Sequence, residues 1–178
     1  MADVKYSPAP VRESAFFYVD GIPTKGAWVD LDWVHSWDEV RDSLTRQGIT
    51  AREYGGDILV ADIEGVLTPC CYSSSFDLFD LDRFMQMQEE ITRRGFDAEA
   101  VAAFVDWYGS WDADAFENAY MGRYDSEKDY AEQYIEDSGM LDSMPENLRY
   151  YFDVESFARD VFMDGYYFTD GFVFCTNC

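Results

Sequence analysis

The stretch DVESFARDVFMDGYYFTDGFVF, residues 153–174, switches from a helical to a strand-like hydrophobic period. Phe157, Val161 and Phe162 share one helical face; Asp153 stands where an N-cap belongs and Gly165 ends the run. Tyr166-Tyr-Phe168 and Phe172-Val-Phe174 then flank Thr169-Asp170-Gly171, a composition that predicts a terminal hairpin. Such a short aromatic hairpin is not stable alone, so it must pair with an earlier strand or with a second copy of the chain.

Toward the N-terminus the same mixture recurs. Phe16-Phe17-Tyr18-Val19 is β-prone, Asp20-Gly-Ile-Pro23 punctuates it, and Ala27, Val29, Leu31 and Trp33 alternate with Trp28, Asp30 and Asp32. That alternation predicts a strand with one wet, acidic face. Ser36-Trp-Asp-Glu39 has capping-box spacing, Val40 and Leu44 lie one turn apart, and Gly48 marks the stop of a short helix. Asp57-Ile-Leu-Val-Ala-Asp62 reads as a further strand, and the polar stretch Thr68 to Ser75 as a boundary.

From Phe76 to Gly122 the pattern predicts helices. Leu78, Phe79, Leu81, Phe84, Met85, Gln88 and Ile91 make one helical face. Asp97 caps a second helix carrying Ala100, Val101, Phe104, Val105 and Tyr108, and Asp112 starts a third with Phe116 and Tyr120 inward. Ser126 caps another, burying Tyr130, Ala131, Tyr134 and Ile135 while Asp129, Glu132 and Glu136 align on a different face. The expected class is α+β: an N-terminal small antiparallel sheet with a helix (1–75), a central short-helix bundle (76–122), and C-terminal helices with a small β-sheet (123–178).

Charge carries the functional signal. Thirty-six Asp and Glu oppose thirteen Lys and Arg, a formal net charge of −23 on 178 residues. The chain is nevertheless 48% hydrophobic and 18% aromatic, enough apolar surface to fold where an acidic, aromatic-poor chain would stay disordered. Folding drives the carboxylates outward, where they repel one another unless a basic partner meets them. Their surplus equals the phosphate charge of roughly 11–12 base pairs of duplex at one charge per ~1.7 Å. Between Asp97 and Asp142 thirteen acidic residues face only Arg123 and Lys128, so this region is the best imitation of a phosphate track. The twelve carboxylates expected to bind are Asp97, Glu99, Asp106, Asp112, Asp114, Glu117, Asp125, Glu127, Asp129, Glu132, Glu136 and Asp137. Asp153 and Asp160 are read as structural, the latter paired with Arg159 or Arg149.

The same charge argues against direct binding to nucleic acid or to an anionic membrane. The longest apolar runs, such as Val101-Ala-Ala-Phe-Val105, are too short to span a bilayer, and MADVKYSPAPVRES resembles no secretory leader; a cytoplasmic protein is expected. Cys70, Cys71, Cys175 and Cys178, with one histidine, His35, are read as reduced thiols rather than a zinc site. Asp112-Ala-Asp114 begins like a calcium loop, but Phe116 and Glu117 occupy positions that need an oxygen ligand and a glycine. With no Gly-rich phosphate loop and one histidine, the expectation is a non-enzyme with no cofactor and no metal. An acidic module for another basic DNA-binding protein, or a salt-adapted surface, is the alternative.

The last third, GRYDSEKDYAEQYIEDSG followed by MPENLRYYFDVESFARDVFMDGYYFTDGFVF, resembles the ArdA antirestriction proteins, with weaker likeness at GAWVDLD and ILVADIEGV. The turn GIPTKGAW, the Cys70-Cys71 pair and the ending Cys-Thr-Asn-Cys depart from that family. The resemblance implies an elongated, curved homodimer of three-domain protomers that mimics bent B-form DNA. Such a protein occupies the DNA groove of type I restriction–modification enzymes, at their methyltransferase core. It thereby blocks restriction of incoming mobile DNA, with modification open to the same block. The resemblance also implies a dimer contact through the C-terminal domain, near Phe172 and Phe174.

Overall fold

The computed structural model describes residues 12–51 and 57–177. It is an α+β fold in which the described residues form seven α-helices and three small antiparallel sheets. The chain divides into two compact units, Met1–Ala102 and Ala103–Cys178.

In the first unit β1 (Ser14–Val19) is the central strand, flanked by β2 (Gly26–Asp30) and β3 (Ile58–Glu64). Phe17 sits opposite Ala27 on one side and Val60 on the other, after a bulge between Phe16 and Phe17. The strand predicted through Trp33 ends at Asp30, whose carboxylate accepts the Asp32 N–H and turns the chain into a 3-10 segment, Leu31–Trp33. Leu31 stays in the core while Trp33 is left 80% exposed. Helix α1 (Trp37–Arg46) is capped by Ser36 and buries Val40 and Leu44, as its spacing predicts. Its capping box closes one residue further out than the motif, with the Glu39 carboxylate accepting the His35 N–H.

A two-residue ladder joins β4 (Tyr72–Ser73) to β5 (Leu78–Phe79). Leu78 and Phe79 are therefore strand residues rather than the first turn of a helix. Helix α2 (Leu81–Arg94) begins after the Asp80 cap and ends at Gly95 in the left-handed region. It buries Leu81, Phe84, Met87 and Ile91, so Met87 takes the core position assigned from sequence to Met85 and Gln88. Phe17 meets Trp37 and Phe79 edge-on, with ring centroids 5.9 and 6.1 Å apart.

One buried charge escaped the sequence reading. Glu13 is only 5% exposed, and its carboxylate accepts the backbone N–H groups of Val66, Leu67 and Thr68. Three charge-assisted bonds replace the lost water, which makes burial of the carboxylate tolerable.

Helix α3 (Ala98–Tyr108) carries the chain into the second unit. Ala103, Phe104 and Val105 are buried there, whereas Tyr108, expected inward, is exposed. Helix α4 (Ala113–Ala119) leads directly into β6 (Tyr120–Arg123), so Tyr120 belongs to a strand. Helices α5 (Glu127–Ser138), α6 (Glu146–Arg149) and α7 (Val154–Asp164) precede the hairpin β7 (Tyr166–Thr169) and β8 (Phe172–Cys175). Asp170 and Gly171, at φ of 50° and 83°, supply the left-handed pair a tight hairpin requires. β8 finds its second neighbour in β6, and all four of its residues are buried. Trp107 stacks on Phe174 at 5.7 Å and on Tyr167 at 5.2 Å, and Phe104 meets Phe116 edge-on at 5.5 Å. Aromatic residues from the helices and the sheet thus form one core, which none of these short elements could build alone.

Cys70 and Cys71 are thiols, as expected, whereas Cys175, expected reduced, is disulfide-bonded.

Candidate functional site

The residues expected to bind a basic partner are placed by helix caps. Asp97 accepts N–H bonds from Glu99 and Ala100 and so starts α3; Asp112 accepts from Asp114 and Ala115 and starts α4. Both are nevertheless exposed. Capping fixes their rotamers and places negative charge at the positive end of each helix, where it is stabilised.

Helix α5 starts on a reciprocal pair of bonds. Asp129 donates its backbone N–H to Ser126 Oγ at 3.1 Å, and Ser126 Oγ donates back to the Asp129 carboxylate at 2.8 Å. From Asp129 the exposed face continues through Glu132 and Glu136, and Gly139 closes the helix in the left-handed region. These spacings rise about 4.5 and 6 Å along the axis, longer than the ~3.4 Å of axis per phosphate on one strand of duplex DNA, so the row imitates a phosphate track in sign and order rather than in spacing. Lys128 lies 3.9 Å from both Glu132 and Glu155, at the outer limit of an ion pair, which leaves the row strongly negative. Asp137 accepts a bond from Gln133 at 2.9 Å.

Of the twelve nominated carboxylates, Asp97 and Glu99 lie in the first unit and the other ten in the second. Glu99 is half-buried and the remaining eleven are exposed. Phe172 and Phe174, nominated for a dimer contact, are buried in the middle strand of the second unit's sheet. Asp153 is a cap, as expected: the Ser156 N–H and hydroxyl donate to it, and these bonds hold its carboxyl below the usual range. Arg149, considered as a partner for Asp160, turns to the Asp142 carboxylate at 3.8 Å and to the carbonyls of Asp142 and Met144. The α5 spacing predicts Tyr130 and Tyr134 in the core; Tyr130 is buried, whereas Tyr134 is exposed, and with Tyr124 they line an open cavity beside the acidic row.

Among the described residues no group of three or more His, Cys, Asp or Glu is placed to hold a metal ion, and no helix is long and apolar enough to cross a membrane. The arrangement offers dense, ordered, exposed negative charge.

Comparison with known proteins agrees with that chemistry. A search of curated proteins returned no match. Against family models, residues 17–174 match the one described as antirestriction protein (ArdA), a span that contains all twelve carboxylates and both phenylalanines. The family's members are non-catalytic DNA mimics that inhibit type I restriction enzymes, and with nearly its whole length matched this chain belongs to the ArdA antirestriction family.

Proposed function

We propose that the protein inhibits type I restriction enzymes chiefly through the carboxylates running from Asp97 to Asp137, which pair with Lys and Arg of the enzyme's DNA groove. The observation that carries this assignment is the exposure of eleven of the twelve, with Asp97, Asp112 and Asp129 already oriented by cap bonds. Charges held in place before binding lose less entropy on association than mobile ones. Release of condensed counterions from DNA cannot drive a protein–protein contact, but the same basic groove attracts both competitors, and that attraction is screened by salt.

The reading includes a cytoplasmic homodimer of three-domain protomers, divided at 75/76 and 122/123, that contacts its copy through the C-terminal domain near Phe172 and Phe174. Support comes from β7, which borders its sheet with β8 on one side only and carries the exposed Tyr167.

The test is displacement of labelled DNA from a type I methyltransferase core, at low and high salt. Displacement near one dimer per enzyme that fades as salt rises is expected. Failure to displace DNA from several such enzymes at every salt concentration, by a folded sample, would overturn the assignment in favour of another basic partner.

A further inference from the structure

Between β6 and α5 lies an open cavity of about 370 Å³, bordered by Met121, Tyr124, Tyr130, Gln133, Tyr134 and Asp137. Its size is at the lower end of the ~300–1,000 Å³ typical of ligand pockets. Tyr130 and Tyr134 stand one turn apart on α5, their ring centroids separated by 6.2 Å. Tyr124 approaches Tyr130 at 5.0 Å, nearly perpendicular. Gly122 makes room for that ring: its φ is +126°, and a β-carbon there would meet Tyr124 at 3.2 Å. The Tyr124 N–H is tied to the Gly171 carbonyl at 2.8 Å, which anchors the wall to the β7–β8 turn. Tyr130 is buried, and desolvation with a hydrogen bond to Tyr166 keeps its phenol neutral well above the ordinary range.

The walls therefore supply uncharged aromatic rings, and the rim supplies Asp137, with Glu136 beside it in sequence. Aromatic rings carry negative charge on their faces and attract cations, the more strongly when water is excluded. An anion would be repelled by the rim, and an apolar group would gain nothing from the Asp137 carboxylate, which in this structure accepts a bond from Gln133. A planar guanidinium suits all the parts: it stacks on a ring and can donate two bonds to a carboxylate. Resting on the function proposed above, we infer that this cavity seats an arginine side chain of the restriction enzyme, an anchor within a surface whose other contacts are spread among many weak charge pairs.

Two measurements test it. First, tyrosine ring signals of the intact protein are followed by NMR during titration with N-acetyl-arginine amide, and with the uncharged citrulline analogue. Saturable shifts at Tyr124, Tyr130 and Tyr134 are expected with the arginine compound alone; equal response to both, or to neither, overturns the inference. Second, in the DNA-displacement assay Tyr134→Leu weakens inhibition about tenfold or more, as loss of a desolvated cation–π contact implies. Tyr134→Phe, which keeps the ring, stays within about twofold of the parent. Tyr134 is 36% exposed, so the leucine should be accommodated; should it unfold the protein, the exposed Asp137→Asn takes its place, with about a threefold to fivefold loss expected. If the parent displaces DNA and the folded leucine or asparagine variant does so equally, the anchor is refuted and the function stands. If the parent displaces nothing, the proposed function fails, and the arginine titration alone decides the cavity.

Discussion

Glu13 and Thr68, fifty-five residues apart in the chain, meet in the interior of the first unit, where the Glu13 carboxylate accepts the Thr68 backbone N–H at 2.9 Å. The same carboxylate accepts from Val66 and Leu67, so one side chain closes the turn that follows β3. Gly65 opens that turn at a φ of +142°, and a β-carbon there would overlap the Glu13 carboxylate. Glu13→Ala should therefore destabilise the protein by ~3 kcal/mol or more, since buried N–H groups left unpaired cost ~1–3 kcal/mol each. Gly65→Ala should also destabilise, but less in the Glu13→Ala background than alone, because part of its clash is removed. Urea unfolding of the two single variants and the double variant checks both statements; simple additivity would contradict the proposed link.

Thr68 is fully buried and its hydroxyl makes no hydrogen bond. Thr68→Val keeps the shape and removes the unpaired polar group, so it should be neutral or stabilising by up to ~1 kcal/mol. A thermal melt showing a clear loss would mean that the hydroxyl has a partner in solution.

Ser126 organises the start of the acidic row through its reciprocal bonds with Asp129. Ser126→Ala should cost ~0.5–2 kcal/mol of stability. It should also weaken DNA displacement modestly while leaving the protein's charge unchanged. Inhibition that tracks charge alone would not change in this variant, so the comparison separates preorganisation from net charge.

Neutralising single members of the α5 row should do little. Asp129→Asn, Glu132→Gln and Glu136→Gln are each expected to cost ~0.2–1 kcal/mol of binding. The triple variant should lose more than any single one but depart from their sum, because the three charges are near neighbours on one helix face. Inhibition constants measured across a salt series should also show a shallower salt dependence for the triple variant.

Stability should decline on the alkaline side. The phenols of Tyr18, Tyr72 and Tyr130 are raised above their ordinary value, first by burial. Below the unfolded value of ~10 the native and unfolded states bind the same protons there; above it the unfolded chain releases protons that the native protein keeps. The urea midpoint should therefore fall as pH rises above ~10, and less steeply in Tyr130→Phe. Burial also pushes the Cys71 thiol up to about 12, so at pH 8 it should resist a disulfide reagent until the protein unfolds.

The sequence by itself determined the local features. The caps at Ser36, Asp97, Asp112, Ser126 and Asp153 and the turn at Asp170-Gly171 involve groups within about one turn of each other, so residue type and spacing are enough to specify them. The exposure of the nominated carboxylates was legible for a related reason: an ionised group leaves the interior unless something there binds it. Glu13 stays inside, because its three donors come from a distant turn that no local pattern announces. Tertiary structure alone decided the pairing of β8 with β6, the strand at Leu78–Phe79, the choice of Met87 for the core, and the assembly of Tyr124, Tyr130 and Tyr134 around one cavity. Each depends on which surfaces meet once the chain is folded, and the gain from burying those surfaces outweighs the weak local preferences that single residues express.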